Sequence, residues 1–187
     1  PRRRSNNLPK TRIKMNEKLK FPIGKFEWIE EPNSNQIESA LLVLSNFPQR
    51  LKEALAGTTE KDFLKHYRTG GWNIAQVVHH LADSHLHSYL RMKHAVLEIQ
   101  PHIKDYNEAD WATLPDATNT EISYSLELLN ALHKRWTVFL KQLDTEQLKR
   151  SYFHPERNKF YPVGTTILLY AWHCEHHLEH IKIALAN

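Results

Sequence analysis

Thirteen histidines stand in this 187-residue chain, and four of them fall between positions 173 and 180. The run His176-His177-Leu178-Glu179-His180 sets His176 and His180 four residues apart in a segment of helical pattern. Residues at i and i+4 share one helical face, so two imidazoles so placed can converge on one metal ion. His173 and His177 form a rival pair at the same spacing on the neighbouring face, and spacing alone does not choose between them. A second cluster, His79, His80, His85 and His87, lies about a hundred residues upstream, also in a helical pattern. Two such helices brought face to face would make a three-histidine site. Three protein ligands leave a coordination position open, which is the mark of catalytic rather than structural metal. Imidazole suits zinc, nickel, iron and copper alike, so the ligands do not name the ion.

The elements that must carry these histidines are four long helices. The first is expected from about Ser34 to Ala56, capped by Asn33 or Ser34, with Ile37, Leu41, Leu44, Leu51 and Leu55 as its apolar stripe. Pro48 should kink or break it. The second follows Gly70-Gly71 and runs from about Asn73 to Ile99, stopped by Pro101. The third spans about Thr120 to Leu143, with Ile122, Leu126, Leu129, Leu132, Trp136, Phe139 and Leu143 at helical spacing. The fourth spans about Thr165 to Ala186. Two connections are long: 101–119, with Trp111 and a short helical turn, and the aromatic, proline-punctuated 144–164, which has room for a hairpin. Long ordered loops on a helical scaffold tend to wall a pocket. The expected fold is all-α, a four-helix bundle with long crossover loops.

Composition bounds the rest. The length suits one domain with one core. The lone Cys174 cannot form an internal disulfide, which fits a reducing, cytoplasmic compartment. No apolar run spans a bilayer and no secretory leader is read at the start, so no membrane partner is expected. The net charge of +4 comes from residues 1–14, which hold Arg2, Arg3, Arg4, Lys10, Arg12 and Lys14 without an acid. The remaining 19 basic residues face 21 acids, so residues 15–187, the expected domain, lack the basic face of a nucleic-acid binder. The first 14 residues read as a flexible basic tail, with Met15 as the expected natural start.

Helical periodicity narrows the ligand choice only partly. In the fourth helix His176 and His180 lie with Leu169, Trp172 and Ile183, opposite a stripe of Ile167, Leu178, Ile181 and Leu185. A helix apolar on two sides is buried on two sides. In the second helix the stripe Ile74, Val78, Leu81, Met92 and Val96 centres near His85, while His80 sits off centre beside Val77, Ser84 and His87. Periodicity therefore nominates His85 as the inward histidine. The plain alternative for each of these rings is a hydrogen-bonded core histidine, since buried polar groups find partners with or without a metal.

The order of several phrases resembles one family. Gly70-Gly71-Trp72-Asn73-Ile74-Ala75-Gln76-Val77-Val78-His79-His80-Leu81-Ala82-Asp83-Ser84-His85, then Tyr152-Phe153-His154-Pro155-Glu156, Tyr170-Ala171-Trp172-His173 and the closing His176-to-Ile181 run are similar to the DinB/YfiT-like metal-dependent family from about Phe21 onward. The resemblance implies a four-helix bundle with a three-histidine metal site. It places the first ligand at the histidine before Leu-Ala in the second helix, here His80, and the other two at the last-helix pair matched to His176 and His180. On resemblance, His80 is preferred to His85. Asp83, one turn from His80, is a candidate to orient a ligating imidazole. The resemblance also implies a divalent cofactor, zinc before nickel, a small-molecule substrate, and a homodimer, for which Phe26, Trp28 and the first helix offer a face.

Three functions fit that site. A metal can lower the pKa of bound water, giving a hydrolase, or hold a low-molecular-weight thiol such as bacillithiol as thiolate, giving an S-transferase. Tyr152 and His154 are candidate acid–base or substrate contacts, or plain loop packing beside Pro155. The third function is a non-catalytic metal-binding or interaction protein. The His-x-x-Glu-His pattern of 176–180 also matches inverted zinc peptidases with Glu179 as base, but no acid follows His180 to complete such a site.

Overall fold

Asn33 starts the first long helix, α1 (Ser34–Ala54), through a reciprocal cap. Its side chain accepts the Gln36 N–H at 3.0 Å, and the Gln36 side chain accepts the Asn33 N–H at 2.9 Å. Asn73 and Gln76 repeat the device at the head of α2 (Ile74–Leu97). The other long helices are α3 (Ser123–Lys141) and α4 (Val163–Ala186). The computed structural model describes residues 17–187, so the expected basic tail, 1–14, lies outside the described residues.

Pro48 neither breaks nor ends α1, which runs through it. A proline lacks the N–H that would bond the carbonyl four residues back, here that of Leu44. That freed carbonyl accepts instead from His133 Nδ1 of α3 at 2.6 Å. A local defect thus becomes a bond between helices.

Each helix packs on two others: α1 on α3 and α4, and α2 on α3 and α4. Consecutive helices α1 and α2 therefore face each other across a diagonal, as do α3 and α4. Contacts fix the directions. His79 meets Ser125, His85 meets His133, and Met92 meets Trp136, so α2 and α3 run parallel. His80 meets His173 while Ser84 meets Tyr170, so α2 and α4 run antiparallel. Parallel neighbours cannot be joined by a tight turn. The link 98–122 must travel back along a helix of 24 residues, roughly 36 Å at 1.5 Å per residue. It does so with helical turns at Glu108–Trp111 and Pro115–Thr118. The second long link carries a turn at Thr145–Lys149 and an antiparallel hairpin, β1 (Ser151–His154) with β2 (Lys159–Pro162), pairing Tyr152 with Tyr161. Phe153 bonds back to Pro101 and Ile103, tying the two links together.

Leu44, Phe47, Leu51, Leu81, Met92, Leu129, Trp136, Leu140, Ile167 and Ile181 fill the core. Trp136 is fully buried, and its indole N–H points at Met92 Sδ, 3.4 Å away. Arg50 and Glu175 join α1 to α4 by a two-pronged ion pair. Phe26 and Trp28 pack on Trp172 and Tyr161 of their own chain. Among the described residues no helix is long and apolar enough to cross a membrane.

Candidate metal centre

The parallel and antiparallel neighbours of α2 gather seven histidines in the upper bundle. His80 projects from α2 and is buried. Its Nε2 lies 3.3 Å from His173 Nε2 of α4, and its ring centre lies 4.9 Å from that of His177. One donor nitrogen from each of His80, His173 and His177 falls within 4.8 Å of the other two. A second group, His176, His177 and His180, converges equally closely on the neighbouring side of α4. His177 belongs to both.

The three expected ligands, His80, His176 and His180, are therefore not gathered in one converging group. His80 meets the rival pair, His173 and His177. The reason lies in α4 itself: it is buried on both sides, so its periodicity carried no preference for the face that meets α2. His176 lies flat under Trp172, with ring centres 4.5 Å apart at 18°. His180 lies flat against Tyr67 at 3.9 Å, and its Nε2 bonds the Leu19 and Lys20 carbonyls at 3.1 and 3.3 Å. Tyr67 reaches that position because residue 71 is glycine: a Cβ there would stand 2.9 Å from the Tyr67 ring.

The other candidate residues of the sequence have partners elsewhere. His85, the inward ring of the α2 stripe, is wholly buried and bonds His133 at 2.8 Å and His173 at 3.1 Å. His79 turns away to Ser125 and the Asn119 carbonyl. His87 stacks on Tyr106 at 4.3 Å. Tyr152 is buried in the hairpin, and His154 sits 3.5 Å from Asp105, which also pairs with the buried Arg91. Glu179 pairs with Lys182 at the helix surface. No hydrogen bond joins Asp83 to a histidine among the described residues.

Burial decides the protonation of the cluster. It lowers the His80 pKa to about 4, and it holds His173 and His177 well below the ordinary imidazole range, where neighbouring histidines add to the effect. His176 falls to about 3 and His180 to about 4 for the same first reason. At neutral pH each ring is uncharged and keeps a lone pair. Asp83 moves the other way: burial first, then the Asp116 charge, raises it to about 6.

The donor set fits a metal. Two nitrogens bound to one tetrahedral zinc at about 2.0–2.1 Å stand roughly 3.3–3.4 Å apart. His80 and His173 present Nε2 atoms at 3.3 Å. Neutral imidazoles, buried and convergent, are what such an ion needs, since no proton must leave before it binds.

Residues 44–181 match the DinB superfamily. A relative named "Putative metal-dependent hydrolase YfiT", from Bacillus subtilis, is 40% identical over 163 residues, covering 87% of this chain and 92% of the relative. A second so named but for the YfiT, from Oceanobacillus iheyensis, is 41% identical over 167 residues, covering 89% and 95%. The solved structure of YfiT from Bacillus subtilis, described as a probable metal-dependent hydrolase with an unusual four-helix bundle topology, superposes with a TM-score of 0.85 at 40% identity, covering 88% of this chain and 94% of that one.

Proposed function

The chain belongs to the DinB superfamily, and from that premise we propose that it is a metal-dependent hydrolase whose ion is held by His80, His173 and His177. The observation that carries the reading is the 3.3 Å approach of two neutral Nε2 atoms from different helices, with a third imidazole beside them. A divalent ion held there would supply Lewis acidity and activate water for attack.

The chain's own residues set the conditions. Three neutral imidazoles would add no negative charge to a divalent ion held there. Trp72, with its ring centre 4.8 Å from that of His80, shields one flank of the site from water. His173 is less buried than its two partners.

The test is turnover by zinc-loaded and nickel-loaded protein against small esters, amides and phosphoesters, with and without an added thiol. Hydrolysis that needs metal and no thiol supports the reading. Turnover only with a thiol, yielding a thioether, would assign the site to thiol transfer. Metal binding with neither activity would refute the enzyme reading.

A further inference from the structure

Buried histidines outside the proposed ligand set stand beside it, and His85, His133 and His180 line up with its ligands. We infer that His85, His133 and His180 are positioning residues that fix which nitrogen of His173 and of His177 is free for a metal. The inference rests on the reading of His80, His173 and His177 as ligands.

The order of the hydrogen bonds follows from one fixed end. A backbone carbonyl only accepts, so His133 Nδ1, 2.6 Å from the Leu44 oxygen, must carry the proton. A neutral ring has one N–H, which leaves His133 Nε2 bare. That atom lies 2.8 Å from His85 Nδ1 and can only accept from it. His85 therefore has a bare Nε2, which accepts from His173 Nδ1 at 3.1 Å. His173 is left with a bare Nε2, the atom 3.3 Å from His80 Nε2. One residue from each helix of the bundle takes part: Leu44 of α1, His133 of α3, His85 of α2 and His173 of α4. Pro48 makes the anchor available by withholding the N–H that would otherwise occupy the Leu44 carbonyl.

A shorter chain serves His177. His180 Nε2 lies 3.1 and 3.3 Å from the Leu19 and Lys20 carbonyls and must donate. Its bare Nδ1 stands 3.4 Å from His177 Nδ1 and accepts from it, leaving His177 Nε2 free. Both α4 ligands are thus held as the Nδ1–H tautomer, the minor form of histidine in water. Partners of this kind typically change metal affinity by about 10–100-fold. On this account His180 supports a ligand rather than being one.

The experiment is nitrogen-15 NMR of the histidine rings in the full, chelator-treated chain. His85, His133, His173 and His177 should each show a single Nδ1–H tautomer, and His180 a single Nε2–H tautomer. An Nε2–H form at His85 or His133 would overturn the inference. In His133→Leu, with helical content checked by circular dichroism, His85 and His173 should lose the single-tautomer signature and zinc affinity should fall about 10–100-fold. His133→Gln, whose amide oxygen can accept from His85, should recover most of it. Unchanged affinity and tautomers in His133→Leu would also overturn the inference. If that variant does not fold, the wild-type spectrum still decides. Because the tautomers are read without metal, failure of the wild type to bind zinc would refute the proposed ligand set separately from the hydrogen-bond order.

Discussion

Lowering the pH should unfold the metal-free protein between about pH 6 and 5, because its buried histidines cannot take up protons in the fold. An unfolded histidine titrates near 6.5, whereas burial holds His80, His133 and His180 at about 4 and His176 at about 3. Below pH 6.5 the unfolded chain therefore binds more protons than the native one, and stability falls as pH falls. At about pH 5 the gap is roughly 1.5 pH units for each ring, or about 2 kcal/mol at 1.36 kcal/mol per unit, so the four together lose about 8 kcal/mol relative to pH 8. His85, His173 and His177 act in the same direction. Asp83 opposes them: with its folded pKa raised to about 6, its contribution is present at low pH and lost as pH rises through that value. It returns only about 1 kcal/mol at pH 5, so the histidines win. A domain of this kind has about 5–15 kcal/mol in total, which makes the loss decisive. Urea unfolding followed by far-ultraviolet circular dichroism at pH 8, 7, 6 and 5, on chelator-treated protein, measures it. A change below about 2 kcal/mol across that range would show that these rings titrate as if open to water, and would refute the reasoning from burial.

Other expectations are simpler. Trp136→Ala removes a fully buried ring that touches His85, His133 and Tyr170, and should cost about 3–5 kcal/mol in urea unfolding. Gly71→Ala sets a methyl 2.9 Å from the Tyr67 ring, and should cost about 1–3 kcal/mol while shifting the His180 ring resonances as Tyr67 is displaced. The Arg50–Glu175 pair is more than a third exposed on the arginine side, so a double-mutant cycle should return less than about 1 kcal/mol despite its two-pronged geometry.

Much of this architecture was legible in the sequence for identifiable reasons. Asn33 and the Gly70-Gly71 pair marked two helix starts, and the stripes of α1 and α3 carry core residues that the structure buries. The hairpin fell where Tyr152 and Tyr161 flank a proline-punctuated turn. The diagonal arrangement was not legible, because no local pattern records which of three other helices a stripe will meet. Pro48 read as a kink or break since sequence cannot show that His133 would take over the orphaned carbonyl. The candidate site was half legible: His80, and the crowding of histidines in α4, were plain. Which pair of α4 faces His80 depends on the rotation of α4 against α2, which a helix buried on two faces does not encode in its hydrophobic period.

The most direct test of the account is zinc affinity by competition with a chelating dye, for wild type and for His80→Ala, His173→Ala, His177→Ala and His176→Ala, each checked for helical content. The account predicts one zinc per chain, lost by at least about 100-fold in the first three variants and kept within a few-fold in His176→Ala, because ligands outweigh the surrounding partners that typically change affinity 10–100-fold. Loss in His176→Ala with binding retained in His173→Ala would contradict it, and would move the metal to the other face of α4.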